Sequence, residues 1–222
     1  MADRGVIIEF DFAAMNGAEL LFNTTKALLN RIDGIPLDLP TEAKYLMAGG
    51  DCLTGLAKYF AEVKTKKTAV KAAKDVDIEF KKALTAAIPA AVTASFCNFV
   101  AALADCGVKV VISTRADIEA VDGAFADILS DNVVLYHEES TTYGSLKWDA
   151  WRRAAVANKL SRLSTYIIAG SGYSVKSALI AGMGATAVVN DHVAYQDFTG
   201  ADAVIGELSA KTAKKVIEIL NI

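Results

Sequence analysis

Short apolar runs recur along the chain and predict buried strands, because a strand covered on both faces reads as continuous rather than alternating hydrophobic residues. The clearest runs are residues 6–8, 108–112 and 166–168. Weaker runs follow at residues 133–136, 187–189 and 203–205. From residue 88 onward, helical patterns separate these runs. The alternation predicts an α/β fold, a parallel sheet with helices on both faces.

Apolar residues at helical spacing predict four helices in this part of the chain. The first carries Phe96, Phe99, Val100 and Leu103 on one face and ends near Gly107, where a glycine suits a helix C-terminus. The apolar faces of the other three are Ile118, Val121, Phe125 and Ile128, then Trp151, Ala154, Ala155 and Leu160, then Val175, Leu179 and Ile180.

The stretch from residue 17 to residue 87 interrupts the alternation of strands and helices. Its pattern predicts helical segments at residues 18–31, 41–47, 53–63, 68–74 and 78–87, with no convincing strand. Pro36, Pro40 and the Gly49-Gly50 pair separate several of them. We therefore expect an α/β core domain formed by residues 1–16 and 88–222, with residues 17–87 inserted as a helical domain.

Composition narrows the classes of partner and the location. With 53% apolar residues, 22% charged residues and a net charge of −3, the chain has no general attraction for nucleic acid or anionic lipid. No apolar run approaches the roughly 18 residues that span a bilayer, and we see no signal peptide. Cys52, Cys97 and Cys106 lack metal-binding or disulfide spacing, and only His137 and His192 accompany them. We expect a cytoplasmic protein with free thiols and no zinc site.

Polar residues cluster where predicted strands end. Glu9 and Asp11 close the first strand, in VIIEFDF, at a place that suits a carboxylate nucleophile. Ser113 and Thr114 follow the second strand, where a hydroxyl and backbone N–H groups suit a phosphate oxygen or cap the next helix. Gly170-Ser171-Gly172 precedes another helix, whose N–H groups and dipole favour an anion.

The order of elements resembles the haloacid dehalogenase (HAD) superfamily with a helical cap after the first strand, and within it the β-phosphoglucomutase-like phosphatases. The supporting stretches are VIIEFDF, LFNTTKALLNRIDGIPL, ALADCGVKVVISTRAD, IIAGSGYSVKSALIAGMGATAVV and GADAVIGELSA. The resemblance covers essentially the whole chain and implies a Rossmann-like core with residues 17–87 as the cap. It also implies Mg²⁺-dependent phosphoryl transfer, in which an aspartate at the edge of the first strand attacks and a carboxylate two residues later is the general acid/base.

The resemblance leaves two alignments of the first strand open. In one, Asp11 is the nucleophile and the acid/base position falls on Ala13, which cannot move a proton. In the other, Glu9 is the nucleophile and Asp11 the acid/base, with Phe12 where the family has a glycine. Burial favours the second, because the first leaves Glu9 inside a buried strand. A glutamate is nevertheless one methylene longer than the family's aspartate.

Other family elements are retained in part. The resemblance assigns Ser113, with Thr114 beside it, and Lys147 to phosphate oxygens. Counting back from the Ala-Gly-Met stretch, the acidic pair that helps to bind Mg²⁺ falls on Ala169 and Gly170. Because Mg²⁺ requires anionic oxygen ligands, we expect its binding to be weak or absent, and we assign no metal ligand and no cofactor.

Three functional hypotheses follow. The first is a pseudoenzyme that has lost metal-dependent phosphoryl transfer and binds a small anionic or phosphorylated metabolite, or a protein partner. Its anion pocket would consist of Ser113, Thr114, Lys147, Ser171 and Gly172. The alternative is a divergent hydrolase, a phosphatase or phosphomutase acting on a small phosphate ester through Glu9 or Asp11. A third reading, an assembly protein, places the function on the surface rather than in the cleft.

Overall fold

The computed structural model describes residues 4–45, 52–138 and 148–221. The strands in this part of the chain are β1 (Gly5–Glu9), β2 (Lys109–Thr114), β3 (Val133–His137), β4 (Thr165–Ala169), β5 (Gly184–Val188) and β6 (Ala203–Ile205). They form one six-stranded sheet in the order β3-β2-β1-β4-β5-β6, and each neighbouring pair is parallel. Every predicted strand is therefore confirmed, with ends that shift by a few residues.

Helices cover the sheet and fill the insertion after β1. The described helices are α1 (Gly17–Asp33), α2 (Leu39–Tyr45), α3 (Cys52–Glu62), α4 (Ala69–Ala91), α5 (Ala94–Asp105), α6 (Ile118–Phe125), α7 (Trp148–Ala157), α8 (Gly172–Ala181) and α9 (Ala210–Leu220). A π-helical turn (Phe10–Ala14) follows β1, and a short 3₁₀ turn (Arg162–Ser164) precedes β4. Ile128 and Leu160 lie beyond the ends of α6 and α7, although both helices were predicted to reach them.

Alternation along the central strands gives the protein two apolar cores. Ile7, Val111 and Ile167 contribute to one core, together with the buried faces of α7 and α8. The residues that follow them in each strand contribute to the other core, with α5, α6 and α9. This second core continues without a break into the inserted helices, where it includes Leu29 of α1 and Phe80 of α4. The insertion therefore packs on the same apolar face that the sheet presents.

The insertion differs from expectation at α4. Residues 68–74 and 78–87 were predicted as separate helices, and this is wrong because α4 runs unbroken from Ala69 to Ala91. Its buried face continues through the expected break, and from Ala73 onward its members are three or four residues apart: Ala72, Ala73, Val76, Phe80, Leu84 and Ile88. The helix predicted at 41–47 is α2, while residues 46–51 lie outside the described ranges. The division into two domains stays a prediction.

Helix α8 presents a different face from the predicted one. Val175 is buried as expected, but Leu179 is 40% exposed and Ile180 is 64% exposed. The buried face instead contains Ala178 and Ala181 beside Val175. The strands beneath it contribute alanines as well, so two small-residue surfaces meet and the bulkier side chains turn outward.

The structure bears on two expectations, about membrane spans and about free thiols. Within the described ranges no single helix is long and apolar enough to cross a membrane, and α4 with α5 passes that test only as a pair bent by 80°. All three cysteines lie in the described ranges, and none of them forms a disulfide.

The face of α8 is testable by paired substitutions. Val175→Ala removes two buried methyl groups and should lower the free energy of unfolding by about 2 kcal/mol. Ile180→Ala, on the exposed side of the same helix, should change it by less than about 0.5 kcal/mol. Urea unfolding followed by circular dichroism measures both. A larger loss of stability in Ile180→Ala than in Val175→Ala would instead support the predicted face, in which Ile180 is buried.

Candidate functional site

The first strand ends in a buried carboxylate. Glu9 is the last residue of β1, lies beside Ser113 of β2 in the parallel register, and is 2% exposed. Its Oε2 accepts a hydrogen bond from the backbone N–H of Gly170 at 2.8 Å. Its Oε1 accepts one from the Ser174 hydroxyl at 2.7 Å. Gly170 lies between β4 and α8, and Ser174 lies in the first turn of α8, so the Glu9 carboxyl lies at the N-terminal end of α8.

Burial dominates the protonation of this group. Desolvation raises the pKa of Glu9 from 4.5 to about 7, and repulsion from Asp11 adds to the effect. The hydrogen bonds from Gly170 and Ser174 and the positive charge of Arg115 lower the pKa but do not offset desolvation. Near neutral pH the side chain therefore exists in protonated and ionised forms together.

Asp11, two residues later, has a different environment. It lies in the π-helical turn, and its Oδ1 accepts a hydrogen bond from the Thr114 hydroxyl at 2.6 Å. Its Oδ2 accepts one from the backbone N–H of Arg115 at 2.9 Å and lies 3.5 Å from the guanidinium Nε of the same residue. The Thr114 hydroxyl also accepts a hydrogen bond from the Ala116 N–H at 3.1 Å. The end of β2 therefore compensates the charge of Asp11 with an arginine and two hydrogen bonds.

The arginine connects this turn to the inserted helices. The Arg115 guanidinium carbon lies 5.1 Å from the ring centroid of Phe12 and 5.8 Å from that of Phe80 on α4. Both distances lie within the range of cation–π attraction, which is strong where the groups are shielded from water, and Arg115 is 3% exposed. The Asp11–Arg115 pair thus links β1, β2 and α4.

The predicted anion donors before α8 have acceptors within the protein. The Ser171 hydroxyl caps α8 by accepting a hydrogen bond from the Ser174 N–H at 3.1 Å. The Gly172 N–H donates to the side-chain oxygen of Gln196 at 2.8 Å. With the Gly170 N–H directed to Glu9, the first turn of α8 is internally hydrogen-bonded.

The structure describes some of the remaining predicted site residues but not all of them. Ser113 is buried beside Glu9, and its hydroxyl has no hydrogen-bond partner among the described residues. Lys147 lies outside the described ranges. Glu9, Thr114 and Ser171 lie at or within two residues of the carboxyl ends of β1, β2 and β4 respectively, and their chemical roles stay predictions.

The fold's expected metal ligand does not fit at position 170. A Cβ atom built on Gly170 would lie 2.2 Å from the carbonyl carbon of Phe12 and 2.4 Å from its oxygen. The backbone of the π-helical turn therefore stands where a side chain at 170 would begin. Ala169 is fully buried and offers no oxygen side chain. Across the described ranges, no group of three or more His, Cys, Asp or Glu could hold a metal ion.

Sequence reasoning missed three residues that shape this site. Arg115 follows Thr114 directly, so its position beside Asp11 was readable from the strand-end pattern. Ser174 lies three residues after Ser171, the spacing of a helix cap. Gln196 reaches Gly172 from the loop after β5, and the local sequence carries no signal for that contact.

Comparison with known proteins supports the fold. The sequence matches no protein-family model and no curated protein. Its structure is similar to a β-phosphoglucomutase from Clostridium difficile, with a TM-score of 0.70 and 12% identity over 99% of this chain and 97% of the other. A mutant of CbbY from Rhodobacter sphaeroides, solved with xylulose-(1,5)-bisphosphate, has a TM-score of 0.68 and 12% identity, over 95% of this chain and 96% of the other. A HAD hydrolase of family IA, variant 3, from Entamoeba histolytica has a TM-score of 0.69 and 15% identity, over 99% of this chain and 100% of the other. The predicted HAD-like fold is confirmed.

Burial of Glu9 predicts a pH-dependent stability difference between the wild type and Glu9→Gln. Because the folded-state pKa is raised, the folded protein binds the proton more tightly than the unfolded chain, and ionisation destabilises it as the pH rises from about 4.5 to 7. Glu9→Gln avoids this cost, so it should be more stable by about 3 kcal/mol above pH 7 and nearly equal at pH 4.5. Urea unfolding across this range measures the difference.

Asp11→Asn is the matched control for that experiment. It removes the charge that compensates buried Arg115, so it should destabilise the protein by about 3 kcal/mol or more at neutral pH. A stabilising Asp11→Asn, or a Glu9→Gln advantage that does not change with pH, contradicts the two environments described.

The close approach at Gly170 is tested by restoring the acidic residue. Gly170→Asp should lower the free energy of unfolding by about 3 kcal/mol or more, since its Cβ overlaps the Phe12 backbone. Gly206→Asp, at an exposed glycine with open space around it, should change stability by less than about 0.5 kcal/mol. A Gly170→Asp protein of wild-type stability that also gains Mg²⁺ affinity by calorimetry would falsify the packing argument.

Proposed function

We propose that this HAD-fold protein has lost metal-dependent phosphoryl transfer and acts by binding rather than by catalysis. The observation that carries the proposal is the contact between Gly170 and the Phe12 backbone, which takes the place of a metal-ligating side chain. Attack of a carboxylate on a phosphate ester brings two anions together, and a divalent ion normally compensates that charge. Ala169 and Gly170 offer no side-chain oxygen to such an ion, and the Phe12 backbone lies where a side chain at position 170 would begin, which supports the proposal.

The state of the two carboxylates supports the proposal. A nucleophile must reach its target with a lone pair available, yet Glu9 and Asp11 are each 2% exposed and use both oxygens as hydrogen-bond acceptors. These contacts satisfy donors that an active site of this fold would direct toward the substrate. The two carboxyl groups therefore serve as internal hydrogen-bond acceptors that join the strand ends to α8 and β2.

A second candidate is a divergent hydrolase in which Glu9 takes part in catalysis. A carboxyl whose pKa lies at about 7 is suited to proton transfer at neutral pH, and Arg115 supplies a nearby cation. Several proteins of the same fold carry the names hydrolase or phosphoglucomutase. We rank it second because it needs a rearrangement that exposes Glu9.

The remaining proposals rest on sequence. We infer a cytoplasmic location and no required cofactor, and the net charge of −3 gives the chain no general attraction for nucleic acid or anionic lipid. The ligand is either a small anionic molecule or a protein partner.

Hydrolysis of p-nitrophenyl phosphate tests the proposal. The wild type and Glu9→Gln, assayed with increasing Mg²⁺ or Mn²⁺, should both show no turnover above the buffer rate, since neither metal nor nucleophile is available. A catalytically active HAD phosphatase serves as the positive control, and circular dichroism verifies that both proteins are folded. Metal-dependent turnover that disappears in Glu9→Gln would instead establish the divergent hydrolase.

A further inference from the structure

The loop between β5 and β6, residues 189–202, contacts both the inserted helices and the start of α8. The strands hold it at both ends. The Val189 N–H donates to the Ile205 carbonyl at 2.9 Å, and the Asp202 N–H donates to the Ala185 carbonyl at 2.8 Å. The loop is therefore a part of the core that reaches to other elements from fixed ends.

Two side chains of this loop contact the inserted helices. The Tyr195 hydroxyl donates to Oε2 of Glu42 on α2 at 2.7 Å. The His192 ring lies against the ring of Phe22 on α1, with 5.9 Å between the ring centroids. The loop thus joins the core to two inserted helices, by a hydrogen bond to one and by a ring contact to the other.

Helix α2 buries a carboxyl group rather than an apolar side chain. Among its seven residues only Glu42 is buried, at 3% exposed. A surface helix normally packs through an apolar stripe, and a buried carboxyl is costly unless donors satisfy it. The contact between Tyr45 of α2 and Tyr59 of α3 lies within the insertion and does not attach it to the core. The Tyr195 hydroxyl therefore contributes directly to holding α2 in place.

The residue after Tyr195 contacts the first turn of α8. Gln196 is buried, and its side-chain oxygen accepts a hydrogen bond from the Gly172 N–H at 2.8 Å. A Cβ atom built on Gly172 would lie 2.5 Å from the Asp197 carbonyl oxygen, so the loop backbone also packs closely against this turn. Adjacent residues of one loop thus contact α2 and α8.

The same turn of α8 holds the Glu9 carboxyl. Gly170 and Ser174 lie two residues before and after Gly172, and both donate hydrogen bonds to Glu9. A shift of the loop that withdraws the acceptor from the Gly172 N–H therefore disturbs the segment that supplies both donors.

We propose that residues 189–202 form a clasp that couples the position of the inserted helices to the first turn of α8, and through that turn to Glu9. Tyr195 holds the insertion and Gln196 holds the turn. Because the two residues are adjacent, release of one displaces the other. The closed clasp keeps Glu9 buried, and its opening loosens the donors of that carboxyl. The inference goes beyond the proposed function, because it concerns movement and not turnover, and the hydrolysis assay does not decide it.

Amide hydrogen exchange in the 222-residue chain, measured by NMR, tests the clasp. Tyr195→Phe removes only the hydroxyl, and it should speed exchange about fivefold in α2, where the hydrogen bond is lost, and about threefold at Gly172, where the effect requires coupling. Lys176→Gln is the matched control, since it breaks an ion pair between Asp197 of the same loop and α8. Both of those side chains are more than half exposed, at 51% and 59%, so exchange should change less than about twofold at either place.

Two further changes test the clasp from its two ends. Gln196→Leu removes the acceptor of the Gly172 N–H, and exchange in α2 should rise about threefold as well, because coupling between two sites is reciprocal. Glu42→Gln keeps a side-chain oxygen for the Tyr195 hydroxyl, so it should have a smaller effect than Glu42→Leu.

The outcomes separate a clasp from two independent contacts. A response to Tyr195→Phe that is confined to α2 or to Gly172, or no response at either place, would overturn the proposal. An equal response to Lys176→Gln would overturn it too, because the loop would then be loosened by any change. Circular dichroism verifies that each variant is folded.

Discussion

Two carboxylates buried at the end of one strand impose the main constraint on this structure. A buried carboxyl without hydrogen-bond donors is costly, so the surrounding elements must supply donors to both side chains. Gly170 and the first turn of α8 supply them to Glu9, and the end of β2 supplies them to Asp11. The positions of α8, β2 and the π-helical turn therefore depend on each other through these contacts.

The same contacts occupy the edge of the sheet where proteins of this architecture commonly bind ligands. A parallel sheet of this type gathers backbone N–H groups and helix N-termini at its carboxyl edge, where they commonly bind anionic ligands. In this protein two carboxyl groups of the chain itself accept these hydrogen bonds. The turn that holds Asp11 also places the Phe12 backbone against Gly170, where a side chain at position 170 would begin.

Much of the fold was predictable because it depends on local pattern. Buried strands read as apolar runs, and Gly107 marks a helix end with its positive φ of 75°. The outward turn of Leu179 and Ile180 was not predictable from their hydrophobicity, since it depends on alanines in two neighbouring strands. The continuity of α4 depends likewise on burial of Val76 by residues distant in sequence.

Some features of the candidate site were likewise predictable from the sequence, and others were not. The loss of acidic residues at Ala169 and Gly170 was visible in the sequence, and so was the pair of carboxylates after the first strand. The sequence indicated Thr114 as a site residue but not which carboxylate it contacts, because Thr114 of β2 reaches Asp11 and Ser174 of α8 reaches Glu9 from elements distant in the chain. The unusual π-helical turn has no sequence pattern that distinguishes it from an ordinary connection.

The central claim is that the carboxyl edge of the sheet holds internal carboxylates and no divalent-ion site. Paramagnetic broadening by Mn²⁺ in amide NMR spectra tests it most directly, because the N–H groups of Gly170 and Arg115 lie against Glu9 and Asp11. The account predicts that these two signals broaden no more than the signal of exposed Gly206. Selective broadening of Gly170 and Arg115 that saturates at sub-millimolar Mn²⁺ would contradict it.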